Sequence, residues 1–387
     1  MKQSSNHLSS KPNVDILIFD SIGLRQLSSC VPYGANTQLL TMRSKTPYKL
    51  KFSFLKALVK NAWTMLRSTT FSRQQLILLT FVDYYQPKLI LSLADNNKLL
   101  LEFSDIRSSP PIYLIQNAIR RHYRAPFNYS RIPTYLVFGE VEKERIEKRG
   151  VQFDDVLPIG SIALNCALKE FEFSNYPPAT LGFISSYRPS SQPQDYDADF
   201  DKTIFDVHET LFLLAFRYAY ENKINLRVII KAKDQTQIDS EMAYFEALAG
   251  GTTLLEFCSV VRDSLYGNKW DNYFAALSTD LIVCGHSTLG FEAVSAGRKV
   301  LFGSSARLGF LKQLGADDYF EQLPEQLKLT DESLDSFRSK ISTLRSIPGQ
   351  QYLALTHSAP IRRQSDTASE GSSEIVRRLL SETLARP

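Results

Sequence analysis

The stretch Cys284–Gly303, CGHSTLGFEAVSAGRKVLFG, decides how the rest of the chain is read. The apolar run Leu281–Cys284 passes through Gly285 into His286-Ser287-Thr288. Leu289, Phe291, Ala293 and Val294 then follow at helical spacing around Glu292, and Gly297 turns the chain into a second apolar run, Lys299–Gly303. Strand, polar turn, helix and strand in immediate succession make the repeating unit of a parallel α/β sheet. At the start of such a helix the first backbone N–H groups lack intrahelical acceptors and the dipole is positive, so Ser287 and Thr288 complete a physical site for a phosphate. The same residues also suit an ordinary capped helix with His286 hydrogen-bonded locally, and at this point both readings stand. Glu292, flanked by apolar residues, needs a hydroxyl or a cation once it is buried. Ribose hydroxyls lie about one helical turn from a phosphate held on the helix end.

Outward from this unit the same grammar repeats. NVDILIFD (13–20), PKLILSLAD (87–95), PPIYLIQN (110–117) and TYLVFGE (134–140) are apolar on both faces, with DVLPIGS (155–161) as a fifth, which is the signature of buried parallel strands. Helical spacing lies between them, at Phe71 to Tyr85 and Glu140 to Arg149. After FEFSNYPPAT (171–180) the pattern restarts with LGFISSYR, a long helix over Phe205 to Asn222, INLRVIIKAK, TTLLEFC, DLIVCGH and KVLFG. The Tyr-Pro-Pro segment is a natural hinge. The expectation is therefore an α/β protein of two Rossmann-like domains, 1–176 and 177–387. The second is taken to include a closing helix, SSEIVRRLLSETLA, whose serines can cap it, whose Glu374 sits in its first turn and which can pack back against either domain. The preceding THSAPIRRQSDTASEGSSE is rich in Ser and Thr and reads as a loop.

The chain has 387 residues, enough for two cores, and 43% hydrophobic against 22% charged residues is the balance of a folded protein. A net charge of +4, without a basic stripe interleaved with aromatics, argues against a nucleic-acid module but leaves anionic ligands and lipid surfaces open. Cys30, Cys166, Cys258 and Cys284 show no CxxC or zinc spacing, which predicts buried thiols in a reducing cytoplasm. The opening MKQSSNHLSSKP has no signal-peptide core, and no apolar run approaches the length of a membrane span, about 18 residues. One segment, KTPYKLKFSFLKALVKNAWTMLR (45–67), sets Lys45, Lys49, Lys51, Lys56 and Lys60 among Phe52, Leu55, Val59 and Trp63. It suits a helix lying on the cytoplasmic face of an anionic inner membrane. The commoner use of such a pattern is a helix packed on its own sheet with its lysines in water.

In open α/β sheets ligands bind beyond the carboxyl ends of the strands, so strand ends become the candidate site. In the first half these are Asp20, Ser21 and Gly23, then Asp95, Asn96 and Asn97, then Gln116, Asn117, Arg120 and Arg121. In the second half they are Ser185, Ser186, Tyr187 and Arg188, then Lys231, Lys233 and Asp234, then His286, Ser287 and Thr288.

These residues carry a resemblance. STDLIVCGHSTLGFEAVSAGRKVLFG (278–303) resembles the donor-nucleotide segment of GT-B glycosyltransferases, above all bacterial enzymes that build surface polysaccharides such as lipopolysaccharide, O-antigen and capsule. LGFISSYR, LSLADNN and YLIQNAIRR are similar to segments of the same surface-carbohydrate proteins. Within that group the chain is similar to Kdo transferases, which use CMP-Kdo. The resemblance implies a GT-B fold, with two Rossmann-like domains facing across a cleft, a cytidine nucleotide, no cofactor or obligatory metal, and a glycan or lipid-linked glycan acceptor. His286, Ser287, Thr288 and Glu292 would hold the nucleotide, and Arg188, Ser186, Lys231 and Lys233 the donor sugar with its carboxylate. Asn96, Gln116, Asn117 and Arg120 would line the acceptor side. Departure of the nucleotide leaves an oxocarbenium-like sugar, captured by Asp234 in a retaining enzyme or attacked by an acceptor hydroxyl with Asp20 or Asp95 as base in an inverting one. Asp234 also reads as a helix cap, and Asp20 and Asp95 as turn acceptors. A UDP- or GDP-sugar transferase, an epimerase of the same fold, and a noncatalytic nucleotide- or glycan-binding scaffold remain as alternatives.

Overall fold

The computed structural model describes residues 14–41, 52–66, 72–107, 109–119, 131–171, 176–187, 198–230, 235–259, 271–303, 318–321, 323–358, 361 and 370–386. The first half runs β1 (Ile16–Phe19), α1 (Leu24–Cys30), β2 (Thr37–Leu40), α2 (Phe52–Leu66), α3 (Arg73–Tyr85), β3 (Leu89–Ser92), α4 (Lys98–Ile106) and β4 (Ile112–Ile115). It continues through β5 (Arg131–Ile132), β6 (Thr134–Val137), α5 (Glu140–Glu147), β7 (Gln152–Phe153), β8 (Val156–Pro158) and α6 (Ile162–Phe171). The second half runs β9 (Ala179–Ile184), α7 (Ala198–Asn222), β10 (Leu226–Ile230), α8 (Gln235–Leu248), β11 (Leu255–Ser259), α9 (Asp271–Leu277), β12 (Thr279–Cys284), α10 (Thr288–Ser295) and β13 (Lys299–Gly303). It ends with α11 (Asp318–Glu321), β14 (Lys328–Leu329), α12 (Leu334–Ser346), α13 (Gly349–Leu355) and α14 (Ser372–Ala385).

Two six-stranded parallel sheets result, in the orders β2-β1-β3-β4-β6-β8 and β11-β10-β9-β12-β13-β14. All residues of β1, β3 and β10 are buried, as helices on both faces of a parallel sheet require. Every strand named from its apolar run is present. Edge strand β2, of sequence TQLL and mostly half-buried, and the two-residue strands β5, β7 and β14 were not among them, because so few residues carry no periodicity. The second sheet, numbered within its own half, has the order 3-2-1-4-5-6 of dinucleotide-binding folds, with its direction of winding reversing between β9 and β12. In the first sheet the reversal falls between β1 and β3.

Two expectations are corrected. The serines of α14 do not cap it: Gly371 is the N-cap, and the Ser372 hydroxyl donates to the Ile159 carbonyl (2.6 Å) while Ser373 accepts from Ser29 (3.0 Å). Both serines are buried because α14, placed by chain order with the second half, packs on the first, where Ile375, Val376 and Leu380 join Ile16, Ile18 and Leu27 in one core. The apolar stripe of α2 does not face a sheet either. The helix packs on α3 through Phe54, and Phe52, Leu55, Val59 and Trp63 stand exposed. Lys45, Lys49 and Lys51 lie outside the described residues. All four cysteines are free; Cys166 is half-buried and the other three are buried. No described helix is long and apolar enough to cross a membrane.

Candidate functional site

The turn after β12 and the start of α10 stand at the reversal point of the second sheet. Gly290 lets α10 lie close on that sheet: a Cβ there would fall 2.5 Å from the Cys284 sulfur and 3.1 Å from the Phe302 ring. Gly297, at φ 77°, ends the helix, with the Arg298 N–H bonded to the Ala293 carbonyl (2.9 Å) and the Gly297 N–H to that of Val294 (2.9 Å), the Schellman pattern. At the other end Ser287 is the N-cap by backbone, its carbonyl accepting from Gly290 and Phe291, but its hydroxyl does not cap the helix. The amides of Thr288 and Leu289 precede the helical ladder. His286 is half-buried, its ring 5.5 Å from Phe320 and 6.1 Å from Phe291.

Among the described residues the first half hydrogen-bonds to this helix at Thr288 and at Glu292. The Ile119 N–H, after β4, donates to the Thr288 hydroxyl (3.2 Å), and the Ser161 hydroxyl, after β8, donates to the buried Glu292 carboxylate (2.5 Å). Tyr273 of α9 donates to both oxygens of that carboxylate at 3.1 and 3.0 Å. The hydroxyl partners that burial demands of Glu292 are thus supplied from within the chain. Close by, Tyr319 donates to Glu142, which is also paired to Arg145 at 2.9 Å, all three buried. Burial and the Glu142 charge push the Tyr319 phenol well above its usual range. Gln116 accepts from the Phe138 N–H (2.8 Å), donates to the Ala118 carbonyl (3.1 Å) and also interacts with the Tyr319 hydroxyl.

On the other side of the reversal point, Ser185 and Ser186 follow β9. Buried His208 of α7 accepts from the Ser186 N–H through Nε2 (3.1 Å), so its ring proton sits on Nδ1. Tyr187 packs its ring 4.9 Å from that of Tyr244. Burial and the neighbouring Glu209, which accepts from the Tyr244 hydroxyl at 2.5 Å, raise that phenol. Arg188, Lys231, Lys233 and Asp234 lie outside the described residues, as does Arg120.

The first-half carboxylates are occupied. Asp20, at φ 71°, folds its carboxylate onto the Ser21 N–H (2.6 Å), and Asp95, fully buried, accepts from the Tyr135 hydroxyl (2.8 Å). Asn96 is exposed, and Asn97 caps α4. Asn117 donates to the Leu93 carbonyl (2.5 Å), tying the end of β4 to that of β3. The structure therefore gathers His286, Ser287, Thr288 and Glu292 on one helix start and places Asp20 and Asp95 at the other sheet's reversal point. Ser161, Tyr273, Ile119 and His208 were not anticipated. Ser161 closes DVLPIGS, so applying the strand-end rule to that fifth strand finds it; Tyr273 and Ile119 reach the helix by contacts with no local signal. Among the described residues no three His, Cys, Asp or Glu side chains could hold a metal ion.

No protein-family model and no curated protein matches the chain. Solved structures match it over nearly its whole length. UDP-GlcNAc 2-epimerase from Methanocaldococcus jannaschii, in complex with UDP-GlcNAc and UDP, is similar at a TM-score of 0.53 and 9% identity, covering 96% of this chain and 99% of that one. UDP-N-acetylglucosamine 2-epimerase from Rickettsia bellii gives 0.52 and 11%, covering 97% of each chain. The wall teichoic acid polymerase TagF gives 0.51 and 10%, covering 97% of this chain and 90% of that one. The fold is GT-B, shared by sugar-nucleotide epimerases and glycosyltransferases, and identity this low speaks for the fold alone.

Proposed function

We propose that the protein is a GT-B glycosyltransferase that binds a nucleotide sugar at the start of α10 and transfers the sugar to a glycan acceptor. The observation that carries this reading is the position of His286-Ser287-Thr288: a polar turn and a helix start at the reversal point of a 3-2-1-4-5-6 sheet, where the first half closes in through Ile119 and Ser161. The diphosphate or phosphate would sit on the α10 amides with Ser287 and Thr288. Glu292 would exchange the Ser161 or Tyr273 hydroxyl for those of a ribose. Ser186, beside the reversal point, and Arg188, Lys231 and Lys233, next in chain order after β9 and β10, would take the sugar, with Asp234 as nucleophile of a retaining reaction. Asn96, Gln116, Asn117 and Arg120 would serve the acceptor, and for an inverting reaction the half-buried Asp20 is better exposed as a base than Asp95.

For the donor, the resemblance of the Gly285–Glu292 segment favours CMP-Kdo, and no feature of the fold adds to that preference. A second reading, an epimerase or transferase acting on a UDP-sugar, is favoured by the UDP-GlcNAc bound in a protein of the same fold. Calorimetric titration with CMP, UDP and GDP, repeated on His286→Ala and Glu292→Gln, separates them. Selective CMP binding weakened by both substitutions supports the first reading and leads to assays with CMP-Kdo and Asp234→Asn. Selective UDP binding removes the Kdo proposal, and binding without turnover of any donor favours a noncatalytic scaffold. Failure of all three nucleotides to bind would overturn the site.

A further inference from the structure

Helix α2 turns its apolar side outward. It meets the fold through Phe54, whose ring lies 4.9 Å from Phe81 and 5.6 Å from Tyr84, and through buried Asn61. Phe52, Leu55, Val59 and Trp63, three or four residues apart, form the opposite stripe and are 84%, 50%, 63% and 61% exposed. Of the seven large apolar side chains exposed among the described residues, four lie on this one stripe, so the exposure is a patch and not scatter. Lys56 and Lys60 flank it, both exposed, with the Lys60 ammonium 3.4 Å from the Asp83 carboxylate of α3. The chain from residue 21 to residue 82 holds nine Lys and Arg and no Asp or Glu, whereas the remainder holds 36 against 41 and is net negative. All of the molecule's excess positive charge therefore belongs to the segment that carries the apolar stripe.

We propose that α2 docks the protein on an anionic lipid bilayer, lying in the plane of the surface. Phe52, Leu55, Val59 and Trp63 enter the boundary between headgroups and acyl chains, and Lys56 and Lys60 face the lipid phosphates. At 15 residues the helix is shorter than the roughly 20 a span requires, which fits a helix that lies on a membrane and does not cross it. The charge selects this occupant over a second copy of the chain. A two-fold contact would set the same lysines against each other, with no acidic residue on the helix and only Asp83 of α3, 3.4 Å from Lys60, to offset them in part, whereas anionic headgroups attract them. The inference stands on α2 alone and does not depend on the nucleotide site.

The test is flotation of the full chain with vesicles of phosphatidylcholine alone and of phosphatidylcholine with about one-third phosphatidylglycerol. The wild type is expected to float with the anionic vesicles, less so at high salt. Its tryptophan emission should shift to the blue in a way that Trp63→Phe removes. Leu55→Glu combined with Val59→Glu should lower the bound fraction at least about tenfold, and Lys56→Gln with Lys60→Gln should flatten the salt dependence. All four side chains are exposed, so circular dichroism and nucleotide titration of these variants should match the wild type. Absence of flotation on anionic vesicles, or equal flotation of the Leu55/Val59 variant, overturns the proposal. So does a dimer in sedimentation that this variant dissociates, which would assign the face to a second copy.

Discussion

Glu292 shows how much one carboxylate is asked to do. It is buried on α10 and bonded by Ser161 from the first half and Tyr273 from the second. Glu292→Ala should therefore leave two hydroxyls without their acceptor and lower stability by about 1–3 kcal/mol, read as a lower urea midpoint with no nucleotide present. Glu292→Gln keeps the shape and an acceptor oxygen and should lose less. A carboxylate serving only a ribose would make both variants as stable as the wild type when unliganded, so equal midpoints would refute this tie between the halves. The sequence made the need for a partner legible, because a glutamate amid Phe291, Ala293 and Val294 cannot be buried alone, but not the partner's identity. Ser161 and Tyr273 lie 131 and 19 residues away, and only the folded chain brings them there. Arg227 was hidden for the same reason. Inside LRVII it looks like an interruption, yet it is fully buried, bonded to Glu256 (2.8 Å), Ser278 (2.7 Å) and the Pro177 carbonyl (2.9 Å), where it pins the Tyr-Pro-Pro segment to the second sheet.

At the scale of the element, α10 sets intrinsic preference against packing. Alanine is favoured over glycine in a helix interior by about 1 kcal/mol, so propensity alone predicts that Gly290→Ala stabilises. The added methyl would lie 2.5 Å from the Cys284 sulfur, which is fixed on a buried strand, and 3.1 Å from Phe302. Overpacking of this kind costs about 1–3 kcal/mol, and we expect it to win, lowering the melting temperature and displacing the helix start that carries Ser287 and Thr288. A melting temperature at or above that of the wild type would mean that α10 can lift off the sheet at little cost. The elements themselves were largely readable, because runs such as ILIF and LILS are apolar on both faces and longer than a turn. What escaped was set by neighbours. β2 pairs at an edge with half-exposed residues, and α2 has the spacing of a core helix while packing on α3 by a different face.

The whole molecule is held together by contacts that cross between its halves. Ile119 meets Thr288, Ser161 meets Glu292, Tyr319 meets Glu142, and α14 returns from the second half to cover the first sheet. The last of these carries a pH dependence. Glu374, in the first turn of α14, is paired with Lys169 of α6; burial works to raise its pKa, but the Lys169 ammonium prevails and holds the carboxyl below its usual 4.5. A carboxyl depressed in the folded state contributes stability that is fully present above the unfolded value of 4.5 and is lost as pH falls through the lower folded value. Hydrogen exchange, corrected for its intrinsic pH dependence, should therefore show α14 losing protection below pH 4.5 before the strands of the first sheet do. In Glu374→Gln, which cannot ionise, α14 should be less protected at neutral pH and its protection should change little on acidification. If α14 and the β1 strand lose protection together in both proteins, the closing helix is not a separately loosened element, and acid acts on the first half as one cooperative unit.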